Sequence, residues 1–182
     1  LEGYKVAHKM KAHGAGASTF SDWWAYKYEV NDAIPHNGAL LNDMGIVTAF
    51  NSDDAEMARR LNQEAAKAIK YGGTSEEDAW KFVTLNPAKL LHVDDRVGSL
   101  KKNKDADIVL WSAHPMSIYA VAEQTYVDGR LYYSLELDQV KRVRNAEERS
   151  RLIQKMLSEK KSGEAAQKIK KESSHLFHCD DE

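Results

Sequence analysis

The stretch Ile46-Val47-Thr48-Ala49-Phe50-Asn51-Ser52-Asp53-Asp54 decides the fold. Its first five residues form a compact, mostly apolar run, the pattern of a strand covered on both faces. Its last four are turn and helix-capping residues, so a helix is expected to follow at once. Upstream, Pro35 opens a short helix over 37–44, which Gly45 stops. Before that, residues 14–20 (GAGASTF) read as another short buried strand, and residues 1–12 have a helical look. Strand, helix and strand with short connections make a β/α repeat, which predicts a parallel sheet and an α/β class.

Downstream, a helix is expected over 55–71. Met57, Leu61, Ala65 and Ile69 share one face, and Gly72-Gly73 end it. Thr74 with Glu77 reads as a capping box for the next helix, to which Trp80, Phe82 and Val83 bring apolar contacts. Asn86-Pro87 reads as the cap and first position of a further short helix. The style then changes. Val97-Gly98-Ser99-Leu100 leads to a strand over 106–111, and runs over 121–127 and 130–134 flank Asp128-Gly129, the residues of a tight hairpin turn. Helical periodicity returns at about Val140, 145–160 is helix-prone but polar, and 161–182 is expected to be disordered when free. Three regions result: an α/β part over 1–92, a small β segment over 93–138, and a charged helix and tail over 139–182.

The 182 residues suit one ordinary domain or two small ones. Lys and Arg total 26 against 28 Asp and Glu, which leaves a net charge of -2 and no global field to recruit nucleic acid. The last 44 residues are net basic and the rest net acidic. Basic clusters at 101–104 and 141–144 have acidic neighbours and read as solvated faces. A single cysteine, Cys179, excludes an intrachain disulfide framework. No apolar run approaches the roughly 18–20 residues of a membrane span. The chain opens Leu1-Glu2-Gly3, with no initiator Met and no signal-like segment, and reads as the middle of something longer. The compartment is not legible.

Asp53 is the leading chemical candidate. It lies at the C-terminal end of the second expected strand, the edge where loops of parallel β/α folds converge on a ligand. A carboxylate there can bind a metal ion or accept a proton from water. Ser52, Asp53 or Asp54 can equally cap the next helix; both roles hold if Ser52 or Asp54 caps while Asp53 faces the mouth. The loop over 20–28 leaves the same edge. Its Trp23, Trp24 and Tyr26 either line a substrate pocket or pack as core or subunit interface. The seven histidines show no His-x-His spacing, and His8, His13, His36, His92 and His114 read as isolated. His175, His178, Cys179, Asp180 and Asp181 cluster in the tail, where a metal-carrying role competes with a solvated tail. Residues 71–74 (YGGT) lack the spacing and lysine of a phosphate loop, and no Gly-x-Ser-x-Gly elbow is present.

Asn51-Ser52-Asp53-Asp54, then Thr84-Leu85-Asn86-Pro87-Ala88-Lys89-Leu90-Leu91, then Val97-Gly98-Ser99-Leu100 and Asp105-Ala106-Asp107-Ile108-Val109-Leu110-Trp111, closed by Tyr126-Val127-Asp128-Gly129-Arg130, resemble the C-terminal part of the amidohydrolase superfamily. The nearest branches are imidazolonepropionase-like and prolidase-like. The resemblance implies the last β/α units of a (β/α)8 barrel, of which 1–54 supply two strands, joined to part of a small composite β domain. It implies a hydrolase acting on a C–N bond of a small-molecule amide, peptide-like or cyclic amide substrate, with one or two divalent metal ions, zinc by expectation, in the complete enzyme. Asp53 matches the carboxylate that contacts the metal and takes the proton from the attacking water.

The superfamily's His-x-His, its Lys or acidic bridge and its two later histidine ligands have no match here, and residues 1–7 resemble the stretch after the last of them. A full barrel needs about 250 residues. The expectation is therefore an incomplete site that binds no metal tightly and does not turn over alone, and that associates with the missing N-terminal part or with a second copy. A stand-alone, non-catalytic interaction module derived from an amidohydrolase is the competing reading.

Overall fold

The computed structural model describes residues 1–163. The expected tail disorder and the cluster His175, His178, Cys179, Asp180 and Asp181 lie outside the described residues. Two compact units separate at Glu136/Leu137.

In the first unit, a 3-10 turn at Gly3–Val6 runs into α1 (Ala7–His13), which ends on Gly14. β1 (Ala17–Thr19) pairs in parallel with β2 (Thr48–Phe50), in the register Ala17↔Thr48, Ser18↔Ala49 and Thr19↔Phe50. α2 (Asn37–Asp43) connects them, so the β/α repeat expected from the sequence is present. β2 is buried at all three positions, and the Thr48 hydroxyl is satisfied there by donating to the Ile46 carbonyl at 3.0 Å. One core cluster joins Ala7, Ala17, Leu41 and Ile46. A second joins Phe50, Ala68 and Phe82, with the two phenyl rings edge to face at 5.2 Å.

After β2 the single helix expected over 55–71 is two: α3 (Ala55–Ala58) and α4 (Leu61–Gly72). No Gly or Pro breaks it. The Asp54 carboxylate caps α3, while the Asn62 side-chain amide donates to the Pro115 carbonyl at 2.6 Å and pins the start of α4 elsewhere. α3 is thus set by a local cap and the start of α4 by a contact distant in sequence.

Two caps also differ from expectation. α5 (Glu76–Lys81) is capped by Ser75, whose Oγ accepts from the Asp78 amide at 3.1 Å; Thr74 is buried and takes no part. α6 (Leu85–Leu90) starts at Leu85, and Asn86 does not cap it. Its amide donates instead to the Thr48 carbonyl at 2.8 Å, tying α6 to β2.

The rest of the unit is an antiparallel meander of β3 (Ile108–Trp111), β4 (Ala122–Val127) and β5 (Arg130–Ser134). Asp128 and Gly129, with φ of 50° and 73°, form the expected hairpin turn. The Gly129 amide donates to the Ala106 carbonyl at 3.0 Å, and the Asp128 amide to Asp107 Oδ1 at 2.9 Å. The hairpin tip is thus clamped to the residues leading into β3.

α7 (Leu135–Lys161) begins directly after β5, five residues before the periodicity near Val140 predicts. None of its residues is buried, and ion pairs along the helix, Arg142 with Asp138 and Arg151 with Glu148, support it. Among the described residues no helix is long and apolar enough to cross a membrane.

Candidate functional site

Because β1 and β2 run parallel, the loops that follow them leave the same edge of the sheet. Asn51 locks the two strand ends together. Its amide donates to the Thr19 carbonyl at 3.0 Å, and its side chain donates to Ser18 Oγ at 2.6 Å.

Two residues on, Asp53 takes a left-handed backbone conformation with φ of 51°. A non-glycine residue pays about 1–2 kcal/mol there, and Asp tolerates it better than most. Asp54 supplies the cap: its Oδ1 accepts from the Glu56 amide at 2.8 Å and the Met57 amide at 2.9 Å. The capping role therefore falls to the neighbour. The Asp53 side chain is exposed, and among the described residues its carboxylate has no hydrogen-bond or ion-pair partner.

The aromatic loop approaches this turn through one residue. Trp23 Nε1 donates to the Ser52 carbonyl at 3.3 Å. Phe20 and Tyr26 meet the Trp23 ring edge to face at 6.1 and 5.0 Å. Tyr26 thus joins the cluster through Trp23, while Trp24, 46% exposed, has no part in the link.

Beneath the loop lies a polar network that the sequence reading missed. Glu64 on α4 is 1% exposed. Its Oε2 accepts from the Ser21 hydroxyl, and its Oε1 from Lys67 Nζ at 2.8 Å. Lys67 also pairs with Asp22 Oδ1 at 2.5 Å. Asn37, fully buried at the start of α2, donates to the Phe20 carbonyl at 2.6 Å. The overlooked signal is a carboxylate on the inward stripe of α4, where Ala65 and Ala68 are also buried.

Asp53 fits a divalent cation as a single oxygen donor with free lone pairs. Among the described residues no group of three or more His, Cys, Asp or Glu converges on it or anywhere else.

The sequence profile of the amidohydrolase family matches residues 27–135. The amidohydrolase tasK of Hapsidospora irregularis is 35% identical over 111 residues, 60% of this chain and 11% of that protein. The urease subunit alpha of Natronomonas pharaonis is 31% identical over 108 residues, 50% of this chain and 18% of that protein. An amidohydrolase crystal structure from Thermotoga maritima MSB8 superposes with a TM-score of 0.64 at 33% identity, covering 73% of this chain and 35% of that one. The chain spans well under half the length of each of these relatives.

Proposed function

Given that the chain belongs to the amidohydrolase family, we propose that it contributes the last two strands of a (β/α)8 barrel and the carboxylate of Asp53 to the hydrolysis of a C–N bond. The substrate class is a small-molecule amide, peptide-like or cyclic. Supporting this reading is one observation above all: Asp53 is held in a left-handed turn at the C-terminal end of a parallel strand, relieved of capping by Asp54, with its carboxylate left unengaged.

A divalent ion, zinc in this reading, supplies a lowered pKa for bound water and polarisation of the carbonyl when present. Asp53 would contribute one oxygen to holding it. As water oxygen bonds to the carbonyl carbon, a carboxylate oxygen of Asp53 accepts the released proton. That proton passes to the departing nitrogen as the C–N bond breaks, which returns Asp53 to its starting form. Trp23, with Tyr26 against it, forms an apolar wall beside the turn, suited to the uncharged body of such a substrate. One donor is too few for a metal centre, so turnover belongs to an assembly that brings further ligands to this edge, from the same polypeptide or from a partner.

The test is Asp53→Asn in the full-length gene product, assayed on N-acyl amino acids, dipeptides and cyclic amides. Turnover should fall by about 1,000-fold or more, since the proton acceptor is lost. Turnover within about twofold of wild type would overturn the assignment.

A further inference from the structure

A buried carboxylate is costly unless fully paired, and replacing such a pair by apolar side chains often leaves stability unchanged or improves it. Holding α4 against the sheet therefore does not by itself account for Glu64. What Glu64 grips is more specific. Ser21, Asp22 and Trp23 are consecutive, and each makes a different anchor. Ser21 donates to Glu64, Asp22 pairs with Lys67, which also pairs with Glu64, and Trp23 donates to the Ser52 carbonyl. The first two anchors fix the loop onto α4, and the third carries that fixed position to the turn after β2. The Ser52 carbonyl lies in the same planar peptide unit as the Asp53 amide. The indole thus holds the plane from which Asp53 departs into its left-handed conformation.

We propose that Glu64 is a positioning residue for Asp53, acting through Ser21-Asp22-Trp23 on the Ser52 carbonyl. This rests on the role of Asp53 proposed above. Glu64, Ser21 and Asp22 lie behind the wall that Trp23 presents to the substrate. The network sets where the carboxylate stands.

Three variants of the full-length gene product test it. Glu64→Ala should lower kcat by up to about 100-fold while KM stays within about twofold, because misplacement of a reacting group acts on the chemical step. Glu64→Gln keeps an acceptor for Ser21 and should recover most of that loss. Trp23→Phe keeps an aromatic ring on the wall but removes the donor to Ser52; it should reproduce the fall in kcat with the Ser21–Glu64 contact intact, whatever the smaller ring does to KM, so it decides the matter if Glu64→Ala does not fold.

An activity-free readout is hydrogen exchange of the Trp23 indole N–H, assigned in 15N-Trp spectra by its loss in Trp23→Phe. It should exchange more slowly than that of exposed Trp24 in the parent, and as fast in Glu64→Ala. Unchanged exchange in Glu64→Ala, or a Trp23→Phe effect confined to KM, would overturn the proposal. If Asp53→Asn retains turnover, the catalytic reading fails, while the indole exchange still reports on the link from Glu64 to the turn.

Discussion

The side-chain amide of Asn86 donates to the main-chain carbonyl of Thr48 at 2.8 Å, both residues being buried, and so bolts helix α6 to strand β2. The Asn-Pro-Ala motif is thereby explained as a joint between helix and strand. Asn86→Ala leaves a buried carbonyl unsatisfied and should cost about 1–3 kcal/mol. Asn86→Asp should cost no less, because a carboxylate cannot donate to that carbonyl. Urea midpoints check both, and an unchanged midpoint in either would remove the joint.

Ser75 and Asp78 form a reciprocal pair at the start of α5, with the Ser75 hydroxyl donating to Asp78 Oδ2 at 2.9 Å. Ser75→Ala should destabilise by about 1 kcal/mol. Thr74→Val should be tolerated, since the Thr74 hydroxyl has no partner among the described residues. Lys81 beside Asp78, helped by Ser75, holds the Asp78 carboxyl below the usual carboxylate range. A lowered native value stabilises the fold above the unfolded value, near about pH 4, and that contribution disappears as pH falls through the native value. Asp78→Asn should therefore flatten the acid limb of the stability curve between those two values. The Asp78 side chain is 42% exposed, so solvent screens the pair and the effect is small; thermal melts from pH 5 to about 2 measure it.

Asp53 holds a backbone conformation that favours glycine. Asp53→Gly relieves its left-handed backbone and should raise stability by up to about 1 kcal/mol. Turnover should vanish at the same time. A variant that melts lower than the parent would show that the turn carries no strain.

Gly98 in the Val-Gly-Ser-Leu motif has φ of 80°, and a Cβ there would sit 2.8 Å from Ala88 Cβ and 3.0 Å from the Thr84 carbonyl oxygen. The loop leading away from α6 thus packs its backbone onto that helix. Gly98→Ala should cost about 2–4 kcal/mol from left-handed strain and overpacking together, measured by denaturation.

Local chemistry made much of this fold legible. Gly45 and Gly73 mark helix ends, the apolar run into Phe50 marks a buried strand, and Asp128-Gly129 fits one kind of turn. What escaped was set by partners distant in sequence. Thr74 and Ser75 are equally good caps by type, and packing buries the first. Asn86 has the right chemistry for a cap, but Thr48, thirty-eight residues away, claims its donor. The break after Ala58 has no breaker residue, and the start of α4 beyond it is tied to Pro115, fifty-three residues from Asn62. At the candidate site position left Asp53 open between a cap and a functional carboxylate, and the family resemblance favoured the second, whereas Glu64 could not be found at all, because its partner Ser21 lies forty-three residues upstream.

The two sheets close loops of very different length. β4 and β5 meet across a two-residue turn, while Ala17 and Thr48 lie thirty-one residues apart and pair only once α2 has crossed between them. A hairpin forms in about 1–10 μs, and parallel pairing over a long loop is far slower. A ribosome delivers these parts in the opposite order. The part carrying Asp53 leaves the exit tunnel before the meander, yet the outer edge of β2 stays uncovered until Phe82 and Asn86 have emerged to bond it; the part that needs no waiting comes later.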